Sequence, residues 1–98
     1  MIVALEEAKR KLVALVDVLE ELGNQLRIEE ARERANELER ETMVGDFWSD
    51  AERSSKILKE IKQLKDKVES YEELCARLED ALALCEMAIE AEDEDSVE

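Results

Sequence analysis

Residues 57–89 read ILKEIKQLKDKVESYEELCARLEDALALCEMAI, and the spacing of their apolar positions decides the fold. Ile57, Ile61, Leu64, Val68, Tyr71, Cys75, Leu78, Leu82, Cys85 and Ile89 recur in alternating steps of four and three. On a helix those steps align as one continuous stripe, the seam along which helices pack as a coiled coil. From Asp50 to Ala91 the pattern predicts one helix of roughly 60 Å at 1.5 Å per residue. A helix that long needs a partner along its seam, because tertiary packing supplies most of its stability.

Working outward, Leu5, Ala8, Leu12, Leu15, Leu19, Leu22 and Leu26 keep the same rhythm and predict a first helix over about 2–22. Gly23 followed by Asn24 is the expected stop, since glycine takes the left-handed conformation that closes helices. Ile28, Ala31, Ala35, Leu38 and Thr42 predict a second helix over about 28–42, helped by the Glu30→Arg34 pair four residues apart. Its apolar face is thin, so it is expected to fold only against its neighbours. Ser49 with Glu52 fits a capping box, in which hydroxyl and carboxylate exchange hydrogen bonds with early backbone N–H groups, and this opens the third helix, about 50–91.

The expected fold is therefore all-α: an antiparallel, coiled-coil-like helical bundle in which two shorter helices pack on one long C-terminal helix. Helix two enters helix three through a short turn, so it should run back along the first half of helix three. Helix one either covers the second half, around Leu74 to Ile89, in a broken-arm hairpin, or completes an up-down-up bundle that leaves that half bare. Periodicity alone does not separate the two, and length matching slightly favours the hairpin. Residues 1–91 are read as a single helical domain. Glu92-Asp93-Glu94-Asp95 carry dense like charge and nothing to bury, so 92–98 are expected to fray as an acidic tail.

With 98 residues the chain makes one small domain, burying roughly 60–65% of its unfolded surface. Proline is absent, and the formal net charge of −14 repels phosphate backbones, which excludes broad direct binding of nucleic acid by this domain. No segment approaches the ~20 apolar residues a membrane span needs, and the start turns acidic at Glu6-Glu7, so a soluble, cytoplasmic protein without membrane contact is expected. Catalysis is not expected either. Histidine is missing, the acids fall mostly on solvated helix faces, and there is no glycine-rich phosphate loop or Asx-rich calcium loop. Cys75 and Cys85, ten positions apart, would lie about 15 Å from each other on one helix, too far for a bridge, and are expected to be reduced, buried thiols. No cofactor and no metal site is expected.

The candidate contact residues lie in the turn Gly45-Asp46-Phe47-Trp48-Ser49-Asp50, which holds two of the three aromatics. Read structurally, Phe47 and Trp48 plug the end of the bundle where the chain reverses. Read functionally, one ring, Trp48 above all, stays exposed as an anchor for another protein. Asp46 would stiffen the turn through a side-chain bond to backbone N–H groups. Lys56, Lys59, Lys62 and Lys65, and the run Lys9-Arg10-Lys11, invite a phosphate-binding reading, but carboxylates interleave with the first, as in Glu52→Lys56, and Glu6 and Glu7 balance the second.

That turn, with Arg32-Glu33-Arg34 and Glu37-Leu38-Glu39 before it and Glu52-Arg53, Leu58-Lys59-Glu60 and Leu64-Lys65 after it, resembles the amino-terminal helical domain of bacterial peptide chain release factors. The resemblance continues through Leu78-Glu79-Asp80 and Ala88-Ile89-Glu90-Ala91-Glu92-Asp93, covering the chain from about Leu19. No short motif is specific alone; the ordered series is. Phe-Trp at the turn and the leading helix match the type that reads UGA and UAA. The resemblance implies a non-catalytic domain of a translation-termination factor that binds the ribosome at the large-subunit stalk-base protein and has been linked to release factor 3. Stop-codon reading and ester hydrolysis belong to later domains, whose Ser-Pro-Phe and Gly-Gly-Gln motifs have no counterpart here.

Gly45 and Ala51 stand where the family usually has proline, which softens the turn without redirecting it. The family's chain continues past position 98 into a helix that folds back, so this chain is expected to be a fragment or truncated product. Apolar surface is then expected near Leu78, Leu82 and Ile89, with self-association through it. The competing function class is a free-standing antiparallel coiled-coil tether or a prefoldin-like holdase, for which seams and acidic surfaces are equally natural but the Asp46-Phe47-Trp48 block is not required.

Overall fold

The computed structural model describes residues 1–96. Three α-helices and one short 3-10 turn account for the described chain: α1 (Ile2–Gln25), α2 (Ile28–Glu41), the 3-10 turn Phe47–Ser49, and α3 (Ala51–Ser96). Two shorter helices pack on one long one, and the chain divides into two compact units, one of Met1–Leu22 with Glu73–Glu98 and one of Gly23–Glu72. α1 therefore pairs with the second half of α3 and α2 with the first, which is the broken-arm arrangement.

The unit Gly23–Glu72 holds all the buried apolar residues among those described: Ile28, Ala31, Ala35, Leu38, Phe47 and Ile61. Four of them are the α2 stripe read from spacing, so this helix is thin because its face is nearly all core. Leu38, 1% exposed, and Phe47, 2% exposed, are the largest fully buried side chains. Burying each is worth ~1.5–3 kcal/mol relative to exposure. Around this core the ion pairs set register. Arg32 reaches Glu72 at 2.8 Å, Arg34 reaches Glu60 at 3.3 Å, Lys65 meets Glu39, and Arg53 lies 3.9 Å from Glu41, so early α2 faces later α3 and the helices run antiparallel. All these partners are substantially exposed, so they add orientation more than stability. The guanidinium groups of Arg32 and Arg34 are held above the ordinary arginine value, first by their hydrogen bonds to Glu72 and Glu60. The sign is that of a cation gaining a partner: the contribution is complete throughout the physiological range and fades as pH climbs from the ordinary arginine value through the raised one.

The other unit is packed more lightly. α1 has no buried residue; Leu5, Leu12, Leu19 and Leu22 are half-buried along its stripe, and Leu15 is exposed. On the facing half of α3, Cys75, Leu78, Leu82, Cys85 and Ile89 are half-buried as well. Lys9 pairs with Glu86 at 3.6 Å. The cysteines are free and half-buried, not buried as expected, because two helices alone cannot enclose a seam. Leu78, Leu82 and Ile89 are half-buried, and the exposed large apolar side chains among the described residues of this α3 half are Leu74, Leu84 and Met87.

Local signals differ from expectation at three places. α1 does not stop at Gly23 but runs to Gln25, and no glycine has a positive φ. The left-handed residue is Arg27, φ 56°, which precedes α2 and makes no side-chain cap. Gly23 serves close approach instead: a Cβ there would lie 2.5 Å from Tyr71 Oη and 2.7 Å from its Cζ. At its start, α3 begins at Ala51, and the cap is Asp50, whose Oδ1 accepts from the Arg53 N–H at 3.1 Å, one position after the expected Ser49. At its end, α3 continues to Ser96 rather than ceasing at Ala91, since each added residue of a formed helix gains a backbone bond without a new nucleus. Val97 and Glu98, the end of the expected frayed tail, lie outside the described residues.

Replacing a helix-interior glycine by alanine ordinarily gains ~1 kcal/mol. Here Gly23→Ala is expected to gain nothing or to destabilise, and the ordinary gain should return in a Tyr71→Ala background, measured by urea denaturation of the four members of the cycle. In the same assay Leu38→Ala should cost ~2–5 kcal/mol, and Leu12→Ala clearly less.

Candidate docking site at the turn between α2 and α3

The turn is built by local hydrogen bonding. Thr42, the residue closing α2, donates its hydroxyl to the Glu39 carbonyl at 2.6 Å, and its N–H bonds back to the Leu38 and Glu39 carbonyls. Phe47 N–H donates to Val44 O at 3.0 Å, and Ser49 donates both its N–H and its hydroxyl to Asp46 O, at 3.1 and 2.6 Å. Ser54, the one buried polar side chain among the described residues, places its hydroxyl 2.6 Å from Phe47 O and 2.8 Å from Asp50 O. That hydroxyl ties the first turn of α3 to the 3-10 turn. Gly45 needs no special conformation, and a Cβ there would meet nothing within 4 Å.

The two aromatics differ in exposure. Phe47 is the plug, buried against the core, while Trp48 is 60% exposed. The rings nevertheless touch edge to face, with centroids 4.7 Å apart and planes at 88°. Such contacts are worth ~0.5–1.5 kcal/mol beyond burial, so Trp48 faces solvent while resting on a fixed support. Asp46 is exposed and its carboxylate makes no cap; its carbonyl does the stiffening expected of its side chain.

Periodicity in the seam had no reason to flag the residues beside Trp48. Trp48, Ala51, Ser54, Ser55, Leu58, Lys59 and Lys62 line an open concavity of about 500 Å³. Ala51, Ser55, Leu58 and Lys62 are spaced four, three and four apart, on a face roughly a third of a turn away from the seam. Leu58, partly exposed there, was the available signal: an apolar residue off the seam. The lysine strip is mostly neutralised. Lys56 lies 3.9 Å from Glu52, Lys62 bonds Asp66 at 3.0 Å, and Lys65 meets Glu39, while Lys59 has no ion pair among the described residues. Lys9 and Lys11 are likewise paired, with Glu86 and Glu7. Among the described residues there is no cluster of three or more metal-ligating side chains, and no helix is long and apolar enough to cross a membrane.

Residues 31–98 match the PCRF domain, and the chain belongs to that family. Beyond the matched region, similarity extends over α1. The chain is 31% identical over 98 residues to peptide chain release factor 2 of Clostridium perfringens strain SM101, covering all of this chain and 27% of that protein. It is 30% identical over 90 residues to release factor 2 of Borreliella burgdorferi, covering 92% and 25%, and 33% identical over 91 residues to release factor 2 of a Nitratiruptor species, covering 93% and 25%. The chain thus spans about a quarter of the length of the curated relatives it matches. No solved structure gives a significant match.

Ser54→Ala is expected to lose ~1–3 kcal/mol by taking the hydroxyl donor from the Phe47 carbonyl, while the Asp50 carbonyl keeps the backbone N–H of residue 54. The same substitution should lower the fluorescence anisotropy of Trp48, the only tryptophan, as its support loosens; unchanged stability and anisotropy would contradict the role given to this hydroxyl.

Proposed function

We propose that this chain is the non-catalytic amino-terminal domain of a class I peptide chain release factor whose full-length form terminates translation at UGA and UAA in the cytoplasm. The domain acts by contact. It docks on the stalk-base protein of the large ribosomal subunit and lies within reach of release factor 3, with Trp48 as the anchor and Phe47 and Asp46 as its mounting. The observation that carries this reading is the whole-chain similarity to several release factor 2 proteins, together with an aromatic of the α2–α3 turn that the fold displays rather than buries.

Electrostatics favour a protein-facing contact. A domain of net charge −14 on an RNA-rich particle is repelled by bare rRNA and drawn to basic ribosomal proteins. An antiparallel tether or a prefoldin-like holdase would account for the seams but gives no reason for a tryptophan held outward on a buried phenylalanine. Binding to purified 50S subunits, followed by co-sedimentation, should weaken steadily as salt rises and should fall on subunits stripped of the stalk-base protein. Absence of binding, or binding that ignores both changes, contradicts the proposal.

A further inference from the structure

The face of α3 that carries Leu58 is turned away from the fold's own seam, yet it is apolar at its centre. Trp48 lies at one end, Ala51 and Leu58 form the floor, and Lys59 and Lys62 stand at the far end. Leu58 is off the stripe that packs on α2, and Trp48 meets the core only through its edge contact with Phe47, leaving 60% of it exposed. Exposed aromatics on rigid supports are what binding hot spots are made of, because the ordering cost is met before the partner arrives.

Charge narrows the occupant. A nucleic-acid backbone calls for several free cations, and here Lys56, Lys62 and Lys65 are each already matched by Glu52, Asp66 and Glu39. Of the two lysines that line the concavity, Lys59 is the one without an ion pair among the described residues, and it stands beside an apolar floor. The complement of one apolar floor with one cation at its edge is a protein segment with one large apolar side chain and one carboxylate.

We propose that Trp48, Ala51, Leu58 and Lys59 form a docking shelf for a short segment of a ribosomal protein, its bulky apolar side chain covering Trp48 and Leu58 and its carboxylate pairing with Lys59. This rests on the reading of the chain as a ribosome-docking domain and adds which face docks and what chemistry it takes.

The test uses the chain labelled with a fluorophore at its amino terminus and titrated with purified 50S subunits and, separately, with the rRNA extracted from them. Trp48→Ala and Leu58→Ala are each expected to weaken binding to subunits about 10- to 30-fold, Lys59→Glu to weaken it more than Lys59→Ala, and Trp48→Phe to retain most of it. Leu58 is exposed, so Leu58→Ala should keep the parent's thermal unfolding midpoint; Trp48→Ala gives up the edge contact with Phe47, so its binding is read at a temperature where circular dichroism shows it fully folded. Wild-type binding that the shelf variants leave unchanged overturns the shelf and leaves the docking function standing. Binding to extracted rRNA that is as tight as to subunits and equally sensitive to Trp48→Ala overturns the protein occupant. No binding of the wild-type chain to subunits overturns both proposals.

Discussion

One apolar seam on α3 governs the molecule. Ten positions in steps of four and three, from Ile57 to Ile89, are all buried or half-buried, and a 46-residue helix cannot hide such a stripe alone. It needs partners along its length, and the chain supplies two: α2 for the first half and α1 for the second. Their contributions are unequal. α2 brings Ile28, Ala31, Ala35 and Leu38 into full burial and is joined there by Phe47, whereas α1 meets its half of the seam with side chains that stay half in water. The difference follows from geometry, since the turn folds an aromatic over one pair of helices and nothing comparable closes the other.

The same turn connects stability to display. Burying Phe47 draws the chain into a 3-10 turn, and Ser54 locks the turn to α3 through the Phe47 carbonyl. With its neighbour pointing inward, Trp48 is left outside and stacked against the edge of that buried ring. Core packing and the candidate contact surface are two sides of one dipeptide. An acidic surface around them, with most lysines already paired to carboxylates, biases what can approach toward proteins and away from phosphate backbones.

Long-range periodicity made the fold legible, and local chemistry did not. The stripes of all three helices lie where their spacing put them, Leu15 excepted, because burying a face is a property of many residues at once. Single-residue signals are more easily overridden. Gly23 looked like a helix stop because glycine tolerates left-handed backbone, but its missing side chain is used to admit Tyr71, and Arg27 takes the left-handed position. Ser49 and Asp50 are both good caps, and only the path of the turn chooses Asp50. Of the candidate site, Phe47 and Trp48 were visible as a pair, but their opposite fates depend on which ring the core can accept. Leu58 and Lys59 became part of the site only once the turn set Trp48 over them.

The central claim is that α2, the turn and the start of α3 form the true core while α1 clasps the rest of the seam loosely. Amide hydrogen exchange resolved residue by residue tests this most directly, because it reads the opening free energy of each segment. The account predicts the strongest protection in Ala31–Leu38 and around Ile61, with α1 and the facing half of α3 exchanging much faster through local opening. Equal protection across α1 and α2, or α1 outlasting α2, would contradict it.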